Sequence, residues 1–151
     1  MIVLILDNIR SLYNVGSMFR TSDGLGVSKI YLCGYTGTPE QKGLQKVALG
    51  AENSVPWEKC GPTWRTVERL RDEGFTIVGL EKCKGSTPVG EYRPPEKIAL
   101  VVGNEVNGIS PALQKRLDAI IELPMFGIKE SYNVSVACAM ALYALTQCGQ
   151  K

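Results

Sequence analysis

The sequence contains no histidine. Histidine is the commonest general base in enzymes, a member of the usual catalytic triads and a frequent metal ligand. Its absence removes those triads and most kinds of metal site. Any chemistry must therefore use arginine, glutamate, serine, asparagine, tyrosine or lysine side chains.

Paired cysteines are also missing. The five cysteines are odd in number, include no C-x-x-C pair and lie mostly in apolar runs. This pattern argues against a disulfide framework and against a zinc site. We expect reduced, partly buried thiols and no bound metal.

The sequence has no apolar run of membrane-spanning length. Its longest nearly charge-free apolar stretch, Val134 to Leu145, is well short of the roughly 20 residues that a spanning helix needs. The first segment, Met1 to Asp7, has neither the basic start nor the small-residue cleavage site of a signal peptide, and it predicts a strand. We therefore expect a cytoplasmic protein that makes no membrane contact.

A strong excess of charge is absent as well. The net charge of +2 arises from 17 basic and 15 acidic residues that are scattered along the chain. Nucleic-acid binders often carry a larger positive excess, because neutralised phosphates supply most non-specific affinity. Charge alone therefore predicts only solvated helix faces. The length of 151 residues and the hydrophobic content of 44% separately predict one domain with a buried core.

Segments of strand and helix character alternate along the chain. The predicted strands are Ile2–Asp7, Lys29–Cys33, Val55–Lys59, Phe75–Leu80, Lys97–Val102 and Ile120–Leu123. The predicted helices run from an Asn14 N-cap to about Leu25, near Gly43–Leu49, over Thr63–Glu73, from Ser110-Pro111, and from about Asn133 to Gln147. This alternation predicts an α/β fold, a mostly parallel sheet with helices on both faces. The last helix is apolar nearly all round, which predicts that a partner subunit covers part of it.

Three segments carry polar residues that suit a site: Asn14 to Arg20, Gly103 to Ile109, and Leu123 to Ala137. The second follows a predicted strand, where ligand loops of α/β sheets lie. It resembles a phosphate loop but lacks the Lys-Ser/Thr pair, which argues against nucleoside triphosphate binding. Taken one by one, these residues have simpler interpretations. Asn14, Ser131 or Asn133 could cap a helix, Arg20 could be a surface charge, and Glu105 could be a turn residue.

Together and in this order, the three segments resemble the motifs of the SpoU (TrmH-like) class of SPOUT RNA methyltransferases, over roughly residues 1–148. The resemblance implies methyl transfer from S-adenosyl-L-methionine to a ribose 2′-hydroxyl, without a metal. It also implies the SPOUT (α/β-knot) fold, with a deep C-terminal trefoil knot, and a homodimer. Three departures from the family pattern are mild: Ser17 replaces the usual Ala, Leu123 the usual Ile, and Tyr132 the usual Leu.

The resemblance also assigns roles to individual residues. The implied catalytic residues are Arg20, Asn14, Glu105, Ser131 and Asn133, and the implied cofactor-binding residues are Leu80, Gly103, Leu123, Met125, Ser131, Tyr132 and Asn133. The arginine matching Arg20 is often proposed as the base of the family. A guanidinium group seldom loses its proton in proteins, so we favour phosphate binding and stabilisation of the ribose alkoxide by Arg20.

By the same resemblance, residues 1–151 form a single SpoU-type methyltransferase domain without the appended RNA-binding domain of many members. RNA would then bind to this domain, with tRNA favoured over rRNA. Candidate phosphate contacts are Arg10, Lys42, Lys46, Lys82, Lys84 and Lys129. Two alternatives remain: a non-catalytic RNA- or nucleoside-binding module of the same fold, and a flavodoxin- or Rossmann-type regulator, although a proper phosphate fingerprint is missing.

Overall fold

Seven parallel strands form the sheet of the computed structural model, which describes residues 1–149. The strands are β1 (Ile2–Asp7), β2 (Lys29–Cys33), β3 (Trp57–Lys59), β4 (Thr76–Leu80), β5 (Thr87–Pro88), β6 (Ile98–Val102) and β7 (Ala119–Glu122). Their order is β3-β2-β1-β6-β4-β7-β5, and each neighbouring pair is parallel. The central strands β1 and β6 pair in a register that joins Ile2 to Ile98.

Helices cover both faces of this sheet. They are α1 (Leu12–Leu25), α2 (Lys42–Ala48), α3 (Ala51–Ser54), α4 (Thr63–Asp72), α5 (Pro111–Gln114) and α6 (Val134–Cys148), with a 3-10 turn at Val89–Glu91. Alternate residues of β1 enter separate cores: Leu4 packs with α1, α2, α3 and α6, whereas Ile5 packs with α4 and α5. The predicted α/β fold with helices on both faces is confirmed.

The start of α1 corrects one prediction. Asn14 does not cap this helix; Ser11 does, because Ser11 Oγ accepts a hydrogen bond from Asn14 N at 3.2 Å. The helix ends at Gly26, whose φ of 71° is favourable for glycine. The predicted caps Ser110 of α5 and Asn133 of α6 are both confirmed. The short elements α3 and β5 were not predicted, since four and two residues show no periodicity.

The parallel arrangement decides where a site can form. Strands β1, β6, β4 and β7 are neighbours, so their carboxyl ends lie along one edge of the sheet. The segments 8–11, 103–110, 81–86 and 123–133 follow these four strands and meet there. This is the edge at which open α/β sheets bind their ligands.

Gly16 allows α1 and α2 to pack closely. A Cβ atom at this position would lie 2.7 Å from the Leu44 carbonyl oxygen and 2.9 Å from Val47 Cβ. We expect Gly16→Ala to lower the free energy of unfolding by about 1–3 kcal/mol, because the helix backbones must separate. Urea denaturation followed by circular dichroism measures this change.

Gly24 is the matched control, because it lies in the same helix and, among residues 1–149, no atom outside its own helical neighbours lies within 4 Å of an added Cβ. Gly24→Ala should leave stability unchanged or raise it by up to about 1 kcal/mol, as alanine favours helix. Equal destabilisation by both substitutions would contradict the packing argument.

All five cysteines are free thiols, as predicted. Burial raises the pKa of Cys33 and of Cys138 to about 12, so both remain protonated at neutral pH. Within residues 1–149, no helix is long and apolar enough to cross a membrane. Across the same residues, no cluster of three Cys, Asp or Glu side chains is arranged to hold a metal ion.

Candidate active site

A cavity of about 200 Å³ opens where β4, β6 and β7 end. Six of the seven residues predicted to bind the cofactor line it, namely Leu80, Gly103, Leu123, Met125, Ser131 and Tyr132. Glu105, predicted to be catalytic, also lines it. Asn133 lies outside the lining. Six predicted cofactor residues are therefore brought together from three separate segments of the chain.

The lining of this first cavity divides into an apolar part and an acidic part. The apolar side chains are Leu80, Val102, Leu123, Met125, Val106, Val134 and Ala137. The charged side chains are Glu81, Glu105, Glu122 and Glu130, opposed by Lys82 alone. The cavity therefore suits a ligand that combines a flat or apolar group with net positive charge.

The turn after β6 is fixed by its own side chains. Asn104 Oδ1 accepts hydrogen bonds from Val106 N at 2.9 Å and Asn107 N at 3.0 Å. Gly108 closes the turn with φ of 63°, and a Cβ there would clash with the Glu81 carboxylate. Glu81 Oε2 accepts a hydrogen bond from Ile109 N at 2.9 Å.

Glu81 was not predicted as a site residue. It directly follows a predicted strand, a position that indicates the carboxyl edge of the sheet, where ligands bind.

The Glu105 carboxylate ties this turn to the start of α1. Its Oε2 accepts from Arg10 N at 3.0 Å, and its Oε1 accepts from Ser11 N at 2.9 Å and from Asn14 Nδ2 at 3.2 Å. Burial by itself would raise the pKa of Glu105. The hydrogen bonds from Arg10, Ser11, its own backbone and Asn14 together outweigh burial and lower this pKa. Glu105 is therefore a fixed anion at neutral pH.

Asn133 extends this network to α6. Its Oδ1 accepts from Ser135 N at 2.9 Å and from Val136 N at 3.3 Å, which caps the helix. Its Nδ2 donates to Asn14 Oδ1 at 3.3 Å. A continuous chain of hydrogen bonds, Glu105–Asn14–Asn133, thus joins the three motif segments. Asn133 therefore both caps α6 and contacts Asn14.

Two predicted catalytic residues take no part in this network. Ser131 lines the first cavity, whereas Arg20 lies elsewhere. It lies on the exposed side of α1 and lines neither this cavity nor a second cavity that adjoins it and is lined by Tyr35. Arg20 follows Asn14 by six positions in α1, which corresponds to about 9 Å along the helix axis. Asn14, by contrast, is buried.

The basic residues proposed for phosphate contact are all exposed. Two of them line cavities: Lys82 the first cavity, and Arg10 its neighbour. The structure therefore leaves all six accessible to a ligand.

A second cavity of about 560 Å³ adjoins the first. Its lining consists of Arg10, Ser11, Tyr35, Asn104, Glu105, Val106 and Asn107. Asn104, Glu105 and Val106 line both cavities, so the turn after β6 forms the wall between them. Tyr35 was not predicted, because it lies in a turn-rich loop that no periodic pattern marks.

Comparison with known proteins supplies the family. A model of the SpoU rRNA Methylase family matches residues 1–143. The 23S rRNA (guanosine-2′-O-)-methyltransferase RlmB of Neisseria meningitidis serogroup B is 33% identical over 141 residues, which are 93% of this chain and 56% of that relative. The chain thus spans little more than half the length of the curated relatives it matches.

Solved structures agree with this assignment. The A. aeolicus TrmH/SpoU tRNA modifying enzyme is 30% identical, with a TM-score of 0.89 over 99% of this chain and 75% of that chain. The SpoU methyltransferase AviRb from Streptomyces viridochromogenes, solved in complex with the cofactor AdoMet, is 25% identical. Its TM-score is 0.85 over 97% of this chain and 59% of that chain. With the family model matching nearly the whole chain and the three motif segments meeting at one site, the chain belongs to the SpoU rRNA Methylase family.

Proposed function

We propose that the chain is an S-adenosyl-L-methionine-dependent RNA methyltransferase that modifies a ribose 2′-hydroxyl. The observation that carries the proposal is the Glu105–Asn14–Asn133 hydrogen-bond chain, which joins the three motif segments beside the first cavity. Support also comes from relatives, since AviRb was solved with AdoMet and RlmB is named as a guanosine-2′-O-methyltransferase.

The first cavity has the chemistry that a methyl donor of this kind needs. Leu80, Leu123 and Met125 would flank the adenine, while backbone groups around Leu123 and Ser131 would bond its edge. The four glutamates suit a molecule that carries a sulfonium and an ammonium group. When bound, the donor supplies an activated methyl group that the ribose oxygen takes as the carbon–sulfur bond breaks.

The protein then has to place the hydroxyl and favour loss of its proton. Glu105 fixes the turn that separates the two cavities, and Asn14 fixes Glu105 relative to α6. Holding two reactants in line can lower a barrier by ~7–11 kcal/mol. Arg20 would hold an RNA phosphate and stabilise negative charge on the ribose oxygen, with the proton leaving through that phosphate or water.

We propose tRNA as the substrate and rRNA as the alternative, with action in the cytoplasm, where both occur. The A. aeolicus structure supports tRNA, because it is described as a tRNA modifying enzyme. RlmB supports the alternative. We further propose that residues 1–151 form one methyltransferase domain that itself binds the RNA.

We also propose that the protein acts as a homodimer. Tyr143 is 58% exposed and Val136 is 47% exposed on the side of α6 that faces away from the core, next to the half-buried Met140. Helices α1 and α6 pack side by side on one face of the sheet, so their outward sides form one surface that also carries Arg20. A second copy would cover this apolar surface.

Sedimentation velocity tests the homodimer. The protein should sediment as a dimer at micromolar concentration, and Tyr143→Glu should shift it to a monomer, since a carboxylate would be buried in an apolar interface. Trp64→Glu, at an exposed aromatic residue on the opposite face of the sheet, should leave the dimer intact. A fully active monomer would contradict the proposal.

We propose in addition that the C-terminal segment is knotted. Strand β7 lies between β4 and β5, so the loop from β4 to β6 passes on both sides of β7. Helix α6, which follows β7, contacts the turn Val89–Glu91 in that same loop. These neighbours support threading of the segment after β7 through the loop, as the family resemblance implies.

Methyl transfer is tested with purified protein and methyl-labelled S-adenosylmethionine. The acceptors are tRNA and rRNA fractions, each lacking endogenous methylation. We expect label in the tRNA fraction, recovered after digestion as a 2′-O-methylnucleoside. Label only in rRNA would select the alternative substrate. Donor binding without any transfer to either fraction would favour a non-catalytic binding module.

A further inference from the structure

Tyr35 presents its ring to solvent from a backbone that is firmly held. Tyr35 as a whole residue is 61% exposed, while its backbone N donates to Asn8 Oδ1 at 3.0 Å. Asn8 has φ of 53°, a left-handed conformation that asparagine adopts more readily than most residues other than glycine. Its side chain thereby holds the backbone of Tyr35 in place.

The next residue anchors the loop to the core. The Thr36 hydroxyl donates to the Leu6 carbonyl at 3.1 Å and accepts from Ile9 N at 2.9 Å. Lys59 Nζ donates to the carbonyl oxygens of Gly34 and Thr36, at 2.6 Å each. The backbone that carries the exposed ring is therefore ordered before any ligand arrives, which lowers the entropic cost of binding.

The hydroxyl of Tyr35 is fixed from the other side. Asn104 Nδ2 donates to the Tyr35 hydroxyl at 2.8 Å and to the Asn8 carbonyl oxygen at 2.8 Å. Asn104 belongs to the turn that separates the two cavities. Because the hydroxyl oxygen already accepts from Asn104, its own proton is available to a ligand.

The remaining lining of the second cavity suits a nucleotide. Arg10 is exposed and contributes a guanidinium group, and Asn107 contributes an amide. Glu105 is the one acidic residue of this lining, and its oxygens are occupied by the start of α1. A flat ring beside a cation and amide groups is the arrangement that binds single-stranded nucleic acid, by stacking a base and contacting a phosphate.

We propose that Tyr35 is the stacking platform for a nucleobase of the RNA substrate, with Arg10 on a neighbouring phosphate. The inference rests on the proposed RNA methyltransferase function and adds a substrate-positioning residue to it. The shared turn, Asn104 to Val106, places a nucleotide in the second cavity directly beside the donor in the first.

The test compares Tyr35→Ala and Tyr35→Phe, using tRNA and rRNA that lack endogenous methylation. Tyr35→Ala should raise the KM for the RNA acceptor about 5-fold to 100-fold, the range that stacking of one base supports. The Kd for S-adenosylmethionine should stay unchanged. Tyr35→Phe keeps the ring and should raise KM by no more than about 3-fold. Trp64→Ala, an exposed aromatic residue outside both cavities, is the control.

The outcomes separate this inference from the proposed function. If the wild-type protein methylates RNA and Tyr35→Ala leaves KM unchanged, the stacking role is wrong and the function stands. If KM rises equally for Trp64→Ala, the effect is not specific to Tyr35 and the role is again wrong.

If the wild-type protein methylates neither RNA, the proposed function fails. Fluorescence anisotropy then tests the stacking role without turnover, by measuring the Kd of wild type and of Tyr35→Ala for the same RNAs at saturating S-adenosylhomocysteine. Equal Kd values for the two proteins would overturn the inference.

Discussion

Replacing Arg20 by alanine is expected to reduce methyl transfer by about 100-fold to 1000-fold, the range found when an enzyme loses one donor to developing negative charge. The Kd for S-adenosylmethionine should not change, because Arg20 lies outside the first cavity. The fold should not change either, since the side chain is exposed on α1. Single-turnover rates with saturating RNA, together with calorimetric donor binding, measure the two quantities separately.

Arg20→Lys sharpens this experiment. Lysine keeps the charge but not the planar fork that grips a phosphate with two parallel hydrogen bonds. We expect it to recover only a small part of the lost rate. Near-full activity in Arg20→Lys would rule out any role that needs the fork. Arg65→Ala, an exposed arginine on α4 at the opposite face of the sheet, should retain wild-type activity.

Glu105→Gln should lower the free energy of unfolding by about 2 kcal/mol at neutral pH, in the range of hydrogen bonds to a charged group. Glutamine has almost the same shape, but its NH2 group would face a backbone N–H at Arg10 or Ser11. Because the same bonds hold the wall between the two cavities, methyl transfer should fall as well. Urea denaturation of wild type and variant measures the difference in stability.

The pH dependence of that difference is a further check. The folded pKa of Glu105 lies below its ordinary value of 4.5, so its stabilising contribution is complete above about pH 4.5 and is lost as pH falls through the folded pKa. The stability gap between wild type and Glu105→Gln should therefore narrow below pH 4.5. Glu130→Gln, at an exposed glutamate of the first cavity, should show no such gap. A gap that stays constant down to the lowest pH at which both fold would contradict the assignment.

Much of the fold could be predicted from local pattern. Apolar runs such as Ile2–Asp7 and Ile98–Val102 are buried on both sides, so their composition alone indicates strands of a parallel sheet. The order of the strands could not be predicted in this way. Strand β6 enters the sheet between β1 and β4, and only long-range packing of the two cores decides that.

The motifs indicated which residues lie near one another, but not every contact that the fold creates. Leu80, Gly103 and Met125, which the resemblance assigns to the cofactor, line one cavity, and their binding role stays a prediction. Asn14 was wrongly expected to cap α1, because a cap depends on backbone angles that Ser11 adopts and sequence does not show. Tyr35 was not predicted, because the turn that exposes it depends on contacts with distant residues.

The pairing of β1 with β6 has a consequence for the order in which this protein can fold during synthesis. The amine of Met1 donates to the carbonyl oxygen of Glu96, 95 positions further along the chain. At about 5–20 residues per second, a ribosome needs roughly 5–20 s to make that stretch. Through this interval one edge of β1 has no native strand beside it, although β2 can already pair along the other. The nascent chain therefore carries an open apolar strand edge for seconds, which is the period when it most needs protection from aggregation.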